Sequence, residues 1–520
     1  FLRGTQSGHT LVLIDGIRVG SATAGLTAFQ DLPLALIDRI EVVRGPRASL
    51  YGSEAIGGVI QIFTRQGQGP IKPALSFGAG SHNTWEGSTA LGGAVGENGW
   101  LQAGLASMDT GGFNACRGSL TAGCFTIEPD RDGYRNRSGN WRAGWRLSSH
   151  TEAEINGLRT ESKNQFDGSY QNEAHSVQQV LGTSLRFSPH ADWQSTLQAG
   201  QSRDQSNNYK DGLFTDRFDT RHDSLSWQND LLLGHSRQLI AGIDWQHDQI
   251  DSLTAYTATS RENLGVFGQT LLEWRGQDIQ VSLRHDDNQQ FGGHVTGNAA
   301  WGYTLTQGLR WTLAYGTAFK APTFNDLYYP GYSNPNLRPE ESRSAEMGLA
   351  GSLGEVGRWS LNLFETQLTD LIGLDVAYTP ANIHSARIRG LEGIATTRVM
   401  AWELRGNLTW LDPENRSAGP DQGHVLPRRA EQALTLHADR PLGSWRLGAS
   451  LRAEGRRYDD PANRVTLPGY ATLDLRTEYH LSHDWRLQAR VENLFDQDYE
   501  TAYRYTQPGR SLYLTLRYQP

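Results

Sequence analysis

Long apolar runs are missing from this sequence. No stretch approaches the roughly eighteen consecutive apolar residues that a membrane-spanning helix needs, and only 37% of the 520 residues are hydrophobic. This excludes helical spans but not a transmembrane β-barrel, in which only alternate residues face lipid. Cysteine is almost absent: Cys116 and Cys124 are the only two, eight positions apart in a glycine-containing stretch. They are either two unrelated thiols or the ends of one disulfide-closed loop. An excess of positive charge is also missing, with 48 basic against 56 acidic residues and a net charge of −8, which argues against a nucleic-acid partner. The 15 histidines are scattered, with no His-x-x-x-His pair, no Gly-x-Ser-x-Gly elbow and no phosphate loop, so the motifs of common enzymes are absent. No repeat of propeller-blade or sandwich-module length is present either.

Glycine and aromatic residues are plentiful, with 58 Gly, 15 Trp and 19 Tyr. From about residue 71 onward, segments of period two alternate with polar turns. Trp311, Leu313, Tyr315 and Phe319 fall on one face of such a segment. Trp445, Leu447 and Leu451 lie opposite Arg446 and Arg452, and Leu487, Ala489 and Val491 alternate with Gln488, Arg490 and Glu492. Alternation predicts antiparallel strands, and charge on the second face predicts a wet interior. The 450 residues after position 70, at ~20 residues per strand and connection, correspond to roughly 22 strands.

The first seventy residues read differently. Ile37-Asp38-Arg39-Ile40-Glu41-Val42-Val43-Arg44-Gly45-Pro46-Arg47 runs on through Leu50-Tyr51-Gly52-Ser53-Glu54-Ala55-Ile56-Gly57-Gly58-Val59-Ile60-Gln61-Ile62. Pro46 fixes its own φ and removes a donor, and the glycines open backbone angles closed to other residues. The order predicts strand, tight turn, one helical turn, glycine bend and strand. It closely resembles the plug signature of TonB-dependent outer-membrane receptors. Two further blocks resemble the same family: Tyr315 to Thr323 with Asn334 to Glu340, and Val491 to Glu500. The resemblance implies an all-β transmembrane fold, a ~22-stranded antiparallel outer-membrane barrel (residues 71–520) with an N-terminal plug inside its lumen (residues 1–70). Family members carry a signal peptide, an energy-coupling box and the first part of the plug before this point, so the plug is expected to be N-terminally incomplete.

The resemblance also assigns roles. Arg3 and Arg44 match paired plug arginines, and Glu346 and Glu392 match barrel-wall carboxylates; together they are expected to lock plug to barrel. For each, a solvated lumen charge is the alternative. Within the family the sequence is most similar to the cobalamin receptors, through Arg3-Gly4-Thr5, His9, Leu11 to Gly16, Leu34 to Ile37, Asp286-Asp287-Asn288 and Leu426 to Ala430. By that match the plug apex, with Gly20, Ala24, Gly25 and Thr27, faces cargo, and Arg428 and Tyr505 contact a corrinoid from the barrel. Arg428 reads equally as a lumen charge beside Arg429.

Acidic loops supply a further expectation. Asp130 and Asp132 precede Gly133, and Asp167 precedes Gly168, with Glu173 close behind. Spaced carboxylates near glycine turns suit a hard cation such as Ca²⁺. The resemblance places calcium at Asp130, Asp132, Asp167 and Glu173, with Asn114 and Asn172 replacing family carboxylates and Phe166 a tyrosine. A lone Asp-x-Asp-Gly is otherwise a turn. Tyr209 to Asp219 forms a third acidic stretch, read as an extracellular loop. Export implies an oxidising compartment, so Cys116 and Cys124 are expected to pair.

The function implied is active cobalamin import across the Gram-negative outer membrane, without enzymatic activity or a catalytic cofactor. The alternative is a siderophore or haem receptor. Implied partners are the TonB–ExbB–ExbD complex, a corrinoid ligand, outer-membrane lipid and lipopolysaccharide, and a periplasmic cobalamin-binding protein. A monomer is expected.

Overall fold

The computed structural model describes residues 1–306, 308–375 and 378–520. The N-terminal segment forms a four-stranded sheet from β1 (Thr10–Ile14), β2 (Ile17–Val19), β3 (Ile37–Arg44) and β4 (Gly58–Thr64), in the order β2-β1-β4-β3. β1 and β2 form a hairpin whose two connecting residues, Asp15 and Gly16, have φ of 48° and 84°. Two positive values define the turn whose twist matches the strands, and Asp-Gly is the pair that supplies it. β1 pairs in parallel with β4, and β3 in antiparallel. The run Leu11 to Ile14 is apolar throughout because both faces of this sheet are covered. Val12, Ile14 and Ile62 pack against Leu158 and Val180 of the barrel wall, while Leu11, Leu13 and Val59 pack against Ala55, Val43 and Tyr51 within the plug. The connection between β3 and β4 carries one helical turn, α1 (Ala48–Tyr51), as the Gly-Pro-Arg sequence predicts.

After β4 the chain enters a closed barrel of 22 strands, all antiparallel. The first barrel strand is Lys72–Gly80; the last, Ser511–Tyr518, pairs with it from Tyr513↔Gly80 to Tyr518↔Leu75. Closure removes the free edges that an open sheet would expose. Apolar side chains point outward: Trp141, Trp145, Trp227, Leu363, Leu408, Trp410 and Leu514 are all exposed. Polar ones such as Gln102, Asn136, Ser138, Asn140 and Thr160 are buried against the plug. This inversion of the usual inside and outside is what lipid on one side and a packed lumen on the other require. Phe319 departs from its alternating set. Trp311, Leu313 and Tyr315 are exposed, whereas Phe319 is buried and stacked on His294 with ring centroids 4.7 Å apart.

The strands are joined at one end by short turns such as 149–150, 191–192, 275–276 and 400–401, and at the other by long loops such as 114–131, 321–339, 416–431, 455–469 and 493–510. In bacterial outer-membrane barrels the long loops are extracellular. The third acidic stretch is not a long loop. It is the tip of a hairpin between Trp193–Lys210 and Leu213–Leu232, turned by Asp211 and Gly212 with φ of 51° and 77°.

Candidate functional site

The four expected lock residues meet where the plug touches the wall, with Arg3 at the centre. Arg3 donates from Nη1 to Glu346 Oε2 at 2.8 Å, and from Nε and Nη2 to Glu392 Oε2 at 3.2 and 3.1 Å. Its guanidinium also lies 4.4 Å from the Phe364 ring centre. Arg44 is peripheral, with Nε 3.7 Å from Glu392 Oε1 and much of its side chain in solvent. The arrangement is directional because a guanidinium fork must meet carboxylates in register.

A second plug–barrel contact went unassigned in the sequence. His9, fully buried, places Nε2 3.1 Å from Glu340 Oε2, and Lys320 Nζ lies 3.7 Å from the same oxygen. The Gln6 amide donates to His9 Nδ1 at 3.3 Å, so the ring's proton sits on Nε2 and is donated to Glu340. Glu340 Oε1 accepts from the Ile372 amide at 2.9 Å. The signal was present in part: Lys320 and Glu340 both lie in blocks that carry the family resemblance.

The apex, residues 20–27, is a compact loop closed by Ser21 N–H to Leu26 O at 2.9 Å and Gly25 N–H to Ser21 O at 2.7 Å. Ala24, Leu26 and the following Phe29 are exposed, while Gly20, Gly25 and Thr27 are half-buried. Gly20 has φ of 124°, and a Cβ there would lie 2.9 Å from Thr27 Oγ1, so only glycine fits. The extracellular loop 321–339 folds inward onto this apex. Its short helix α2 (Phe324–Tyr328) donates from the Phe324 and Asn325 amides to the carbonyls of Ala22 and Thr23 at 3.2 and 3.1 Å. Ala22, Ile250, Tyr256 and Phe324 form the apolar cluster beneath.

Arg428 lies in the loop 416–431 and Tyr505 in the loop 493–510, and the loop 455–469 between them carries Asp459. Arg428 donates from Nε and Nη2 to Asp459 at 2.8 and 3.3 Å, and the Tyr503 amide donates to Asp459 Oδ1 at 3.0 Å. Burial alone would raise the Asp459 carboxyl, but these hydrogen bonds and the Arg428 charge bring it below the usual carboxylate range. Adjacent Arg429 donates to the carbonyls of Gly4 and Pro427 at 2.9 and 2.6 Å. Burial, with Arg428 beside it, pushes its guanidinium down to about 10. It lines a cavity of about 230 Å³ with His9, His384 and Leu426.

Cys116 and Cys124 form a disulfide. The loop they close is stitched to the loop carrying Tyr505: the backbones of Cys116 and Tyr505 pair antiparallel, Arg117 N–H donating to Arg504 O at 2.8 Å and Thr506 N–H to Ala115 O at 3.0 Å.

The acidic residues divide. Asp167 is buried, its Oδ2 without a hydrogen-bond partner among the described residues. Burial, then the charges of Asp132, Glu128 and Asp130, push its carboxyl up to about 6. Asp132 accepts from the Ala115 amide at 2.7 Å. Glu173 instead pairs with Lys163 at 2.7 Å and His175 at 2.8 Å on the strand wall, and Lys210 pairs with Glu128 and donates to Gly168 O. Among the described residues, the only trio of carboxylate, His or Cys donor atoms within 4.8 Å of one another is Cys116, Cys124 and Asp167, and the disulfide removes both thiolates. Asp130, Asp132 and Asp167, expected from the sequence to share a cation, are thus not gathered into one such donor trio, and Glu173 is engaged elsewhere.

Comparison with known proteins adds to this geometry. Residues 1–59 match the TonB-dependent Receptor Plug Domain family, and residues 110–494 match the TonB dependent receptor-like, beta-barrel family. Curated proteins named Vitamin B12 transporter BtuB are similar along the whole chain. That of Photobacterium profundum is 31% identical over 532 residues, covering 100% of this chain and 86% of the relative. That of Vibrio cholerae serotype O1 (strain O395) is 32% identical over 547 residues, covering 100% and 85%. Among solved structures, the siderophore receptor PirA of Acinetobacter baumannii superposes with a TM-score of 0.87 at 17% identity, covering 100% of this chain and 91% of that one. A variant of the ferric enterobactin receptor PfeA of Pseudomonas aeruginosa gives 0.85 at 20% identity with the same coverages.

Proposed function

This chain belongs to the TonB-dependent receptors of the Gram-negative outer membrane, and on that premise we propose that its cargo is a cobalamin, bound at the extracellular face and imported into the periplasm. The similarity of the entire chain to relatives named as vitamin B12 transporters carries this reading. The solved siderophore receptors, at 17–20% identity, share the fold alone. In this reading the corrinoid rests on Ala24 and its neighbours at the apex, with Arg428 and Tyr505 reaching it from the wall. Arg428, already oriented by Asp459, offers donors to the amide and phosphate oxygens of such a ligand at little further entropic cost.

Import requires the plug to move. Cargo need only bias the apex, because the work comes from a periplasmic TonB-type transducer with its ExbB and ExbD partners. A periplasmic cobalamin-binding protein would receive the cargo. The Arg3–Glu346–Glu392 cluster suits that cycle: desolvation offsets much of its attraction, so it specifies register without binding irreversibly. Calcium at Asp130, Asp132 and Asp167 would neutralise the crowded carboxylates and order the loops beside Tyr505.

Equilibrium binding of cyanocobalamin to the folded receptor tests the reading, with a ferric siderophore as control and with calcium present or chelated. Saturable cobalamin binding that weakens on chelation supports cargo and metal together. Binding indifferent to calcium removes the metal alone, and binding of the ferric chelate in place of cobalamin replaces the cargo with a siderophore.

A further inference from the structure

Beyond the family lock, the apex is held by a circuit of side chains that no family match assigns. His222 lies on the wall strand Leu213–Leu232 and is buried. Its Nε2 is 2.9 Å from the carbonyl oxygen of Gly20, and its Nδ1 is 2.6 Å from Asp248 Oδ1. A carbonyl only accepts, so Nε2 must carry a proton. Asp248, from the strand Arg237–Ser252, is flanked by Arg261 Nη2 at 3.5 Å and by the charge of the plug's Arg18. The 2.6 Å contact requires a proton shared between Nδ1 and the Asp248 carboxyl group. Both ring nitrogens of His222 are thus engaged, one by the wall and one by the plug.

The circuit closes on itself. Arg261 also donates from Nη1 to the carbonyl of Pro322 at 2.9 Å, and its guanidinium lies 5.1 Å from the Phe324 ring centre. Pro322 leads directly into α2, whose first amides hold Ala22 and Thr23. From Gly20 the chain of contacts therefore runs through His222, Asp248 and Arg261 to the 321–339 loop, and returns to the apex two residues further on. Losing the His222 contact would leave the half-buried Gly20 carbonyl without its side-chain partner.

We propose that His222 is a positioning residue: it fixes the backbone of the apex from below so that Ala24 and its neighbours are presented to cargo in one geometry. The cargo half of this statement rests on the cobalamin reading, and the apex half does not.

Hydrogen–deuterium exchange of residues 20–28 in the cargo-free receptor, together with cyanocobalamin affinity, tests it. His222→Phe keeps the ring and removes both of its nitrogens. Exchange across the apex is expected to rise about tenfold, the loss of one hydrogen bond, with a fall in cobalamin affinity and no change in the heat-modifiable mobility that reports a folded barrel. His222→Gln, which retains a donor of similar reach, should restore both. If His222→Phe fails to insert, His222→Asn, which meets Asp248 but falls short of Gly20, gives the same readout. Unchanged apex exchange overturns the proposal whatever the cargo. Raised exchange with unchanged cobalamin affinity overturns the positioning role and leaves a structural strap. If the unmodified receptor binds no cobalamin, the cargo reading fails while the exchange result still decides whether His222 holds the apex.

Discussion

Glu392 receives two hydrogen bonds from Arg3, 3.2 Å from Nε and 3.1 Å from Nη2, across 389 residues of sequence. One residue belongs to the plug and the other to the barrel wall, so a single guanidinium joins the two domains. Removing it strands two carboxylates in a site that is mostly closed to water. Breaking such a buried pair costs about 3–5 kcal/mol. Arg3→Leu is expected to loosen the plug, read as a rise in ion conductance across planar bilayers. Arg44→Ala should change conductance far less, because an exposed pair contributes about 1 kcal/mol or less. Equal effects would show that the lock is not centred on Arg3.

The His9–Glu340–Lys320 cluster should behave as a second, independent fastening. Glu340→Gln keeps the Ile372 hydrogen bond but leaves Lys320 a buried cation without its partner, again a loss of about 3–5 kcal/mol. Urea-induced plug undocking, followed by a reporter in the plug, should shift to lower denaturant. Because the two clusters share no residue, the Arg3→Leu and Glu340→Gln effects should add. A double variant no worse than either single one would mean that both act on one contact.

The disulfide stabilises a loop and not the barrel. Closing the eight-residue separation between Cys116 and Cys124 restricts the unfolded loop by about 2.5 kcal/mol in the chain-entropy model. Cys116→Ser with Cys124→Ser should leave the barrel's melting temperature unchanged. Protease cleavage within 114–131 should increase and, through the Cys116–Tyr505 backbone pairing, so should cleavage within 493–510. Cleavage confined to the first loop would show that the two are not coupled.

The Arg428–Asp459 tie carries a pH signature. The folded-state carboxyl of Asp459 is lowered, so its contribution is fully present above the ordinary carboxylate range and is lost as pH falls through the depressed value. Limited pepsin digestion between about pH 5 and pH 3 should show the 455–469 loop resisting cleavage at the upper end and yielding at the lower. Arg428→Ala should yield at both. A wild-type loop cleaved equally across that range would contradict the tie.

The barrel was legible because lipid imposes a period of two on every strand: Leu487, Ala489 and Val491 sit out of phase with Gln488, Arg490 and Glu492 whatever the partner strand. The plug was legible because Gly45, Pro46, Gly57 and Gly58 enforce particular backbone angles. Which lumen charges meet was not legible locally. Arg3, Glu346 and Glu392 came together only through family resemblance, and His222 looks like any other polar residue on a lumen-facing strand. Its partner Asp248 is set by the register His222↔Asp248 between adjacent strands, and Gly20 by how the plug docks. Glu173 illustrates the same limit. The sequence places it beside Asp167, but the pairing that sets His175 opposite Lys163 brings Lys163 and His175 to its carboxylate instead.

The central claim, that a corrinoid rests on the plug apex, is tested most directly by the hydrogen-exchange footprint of saturating cyanocobalamin on the folded receptor. Protection is expected to rise together in residues 20–28 and in the loops carrying Arg428 and Tyr505, with the barrel strands unchanged. Saturable binding that leaves the apex exchange untouched, or no binding at all, would contradict it.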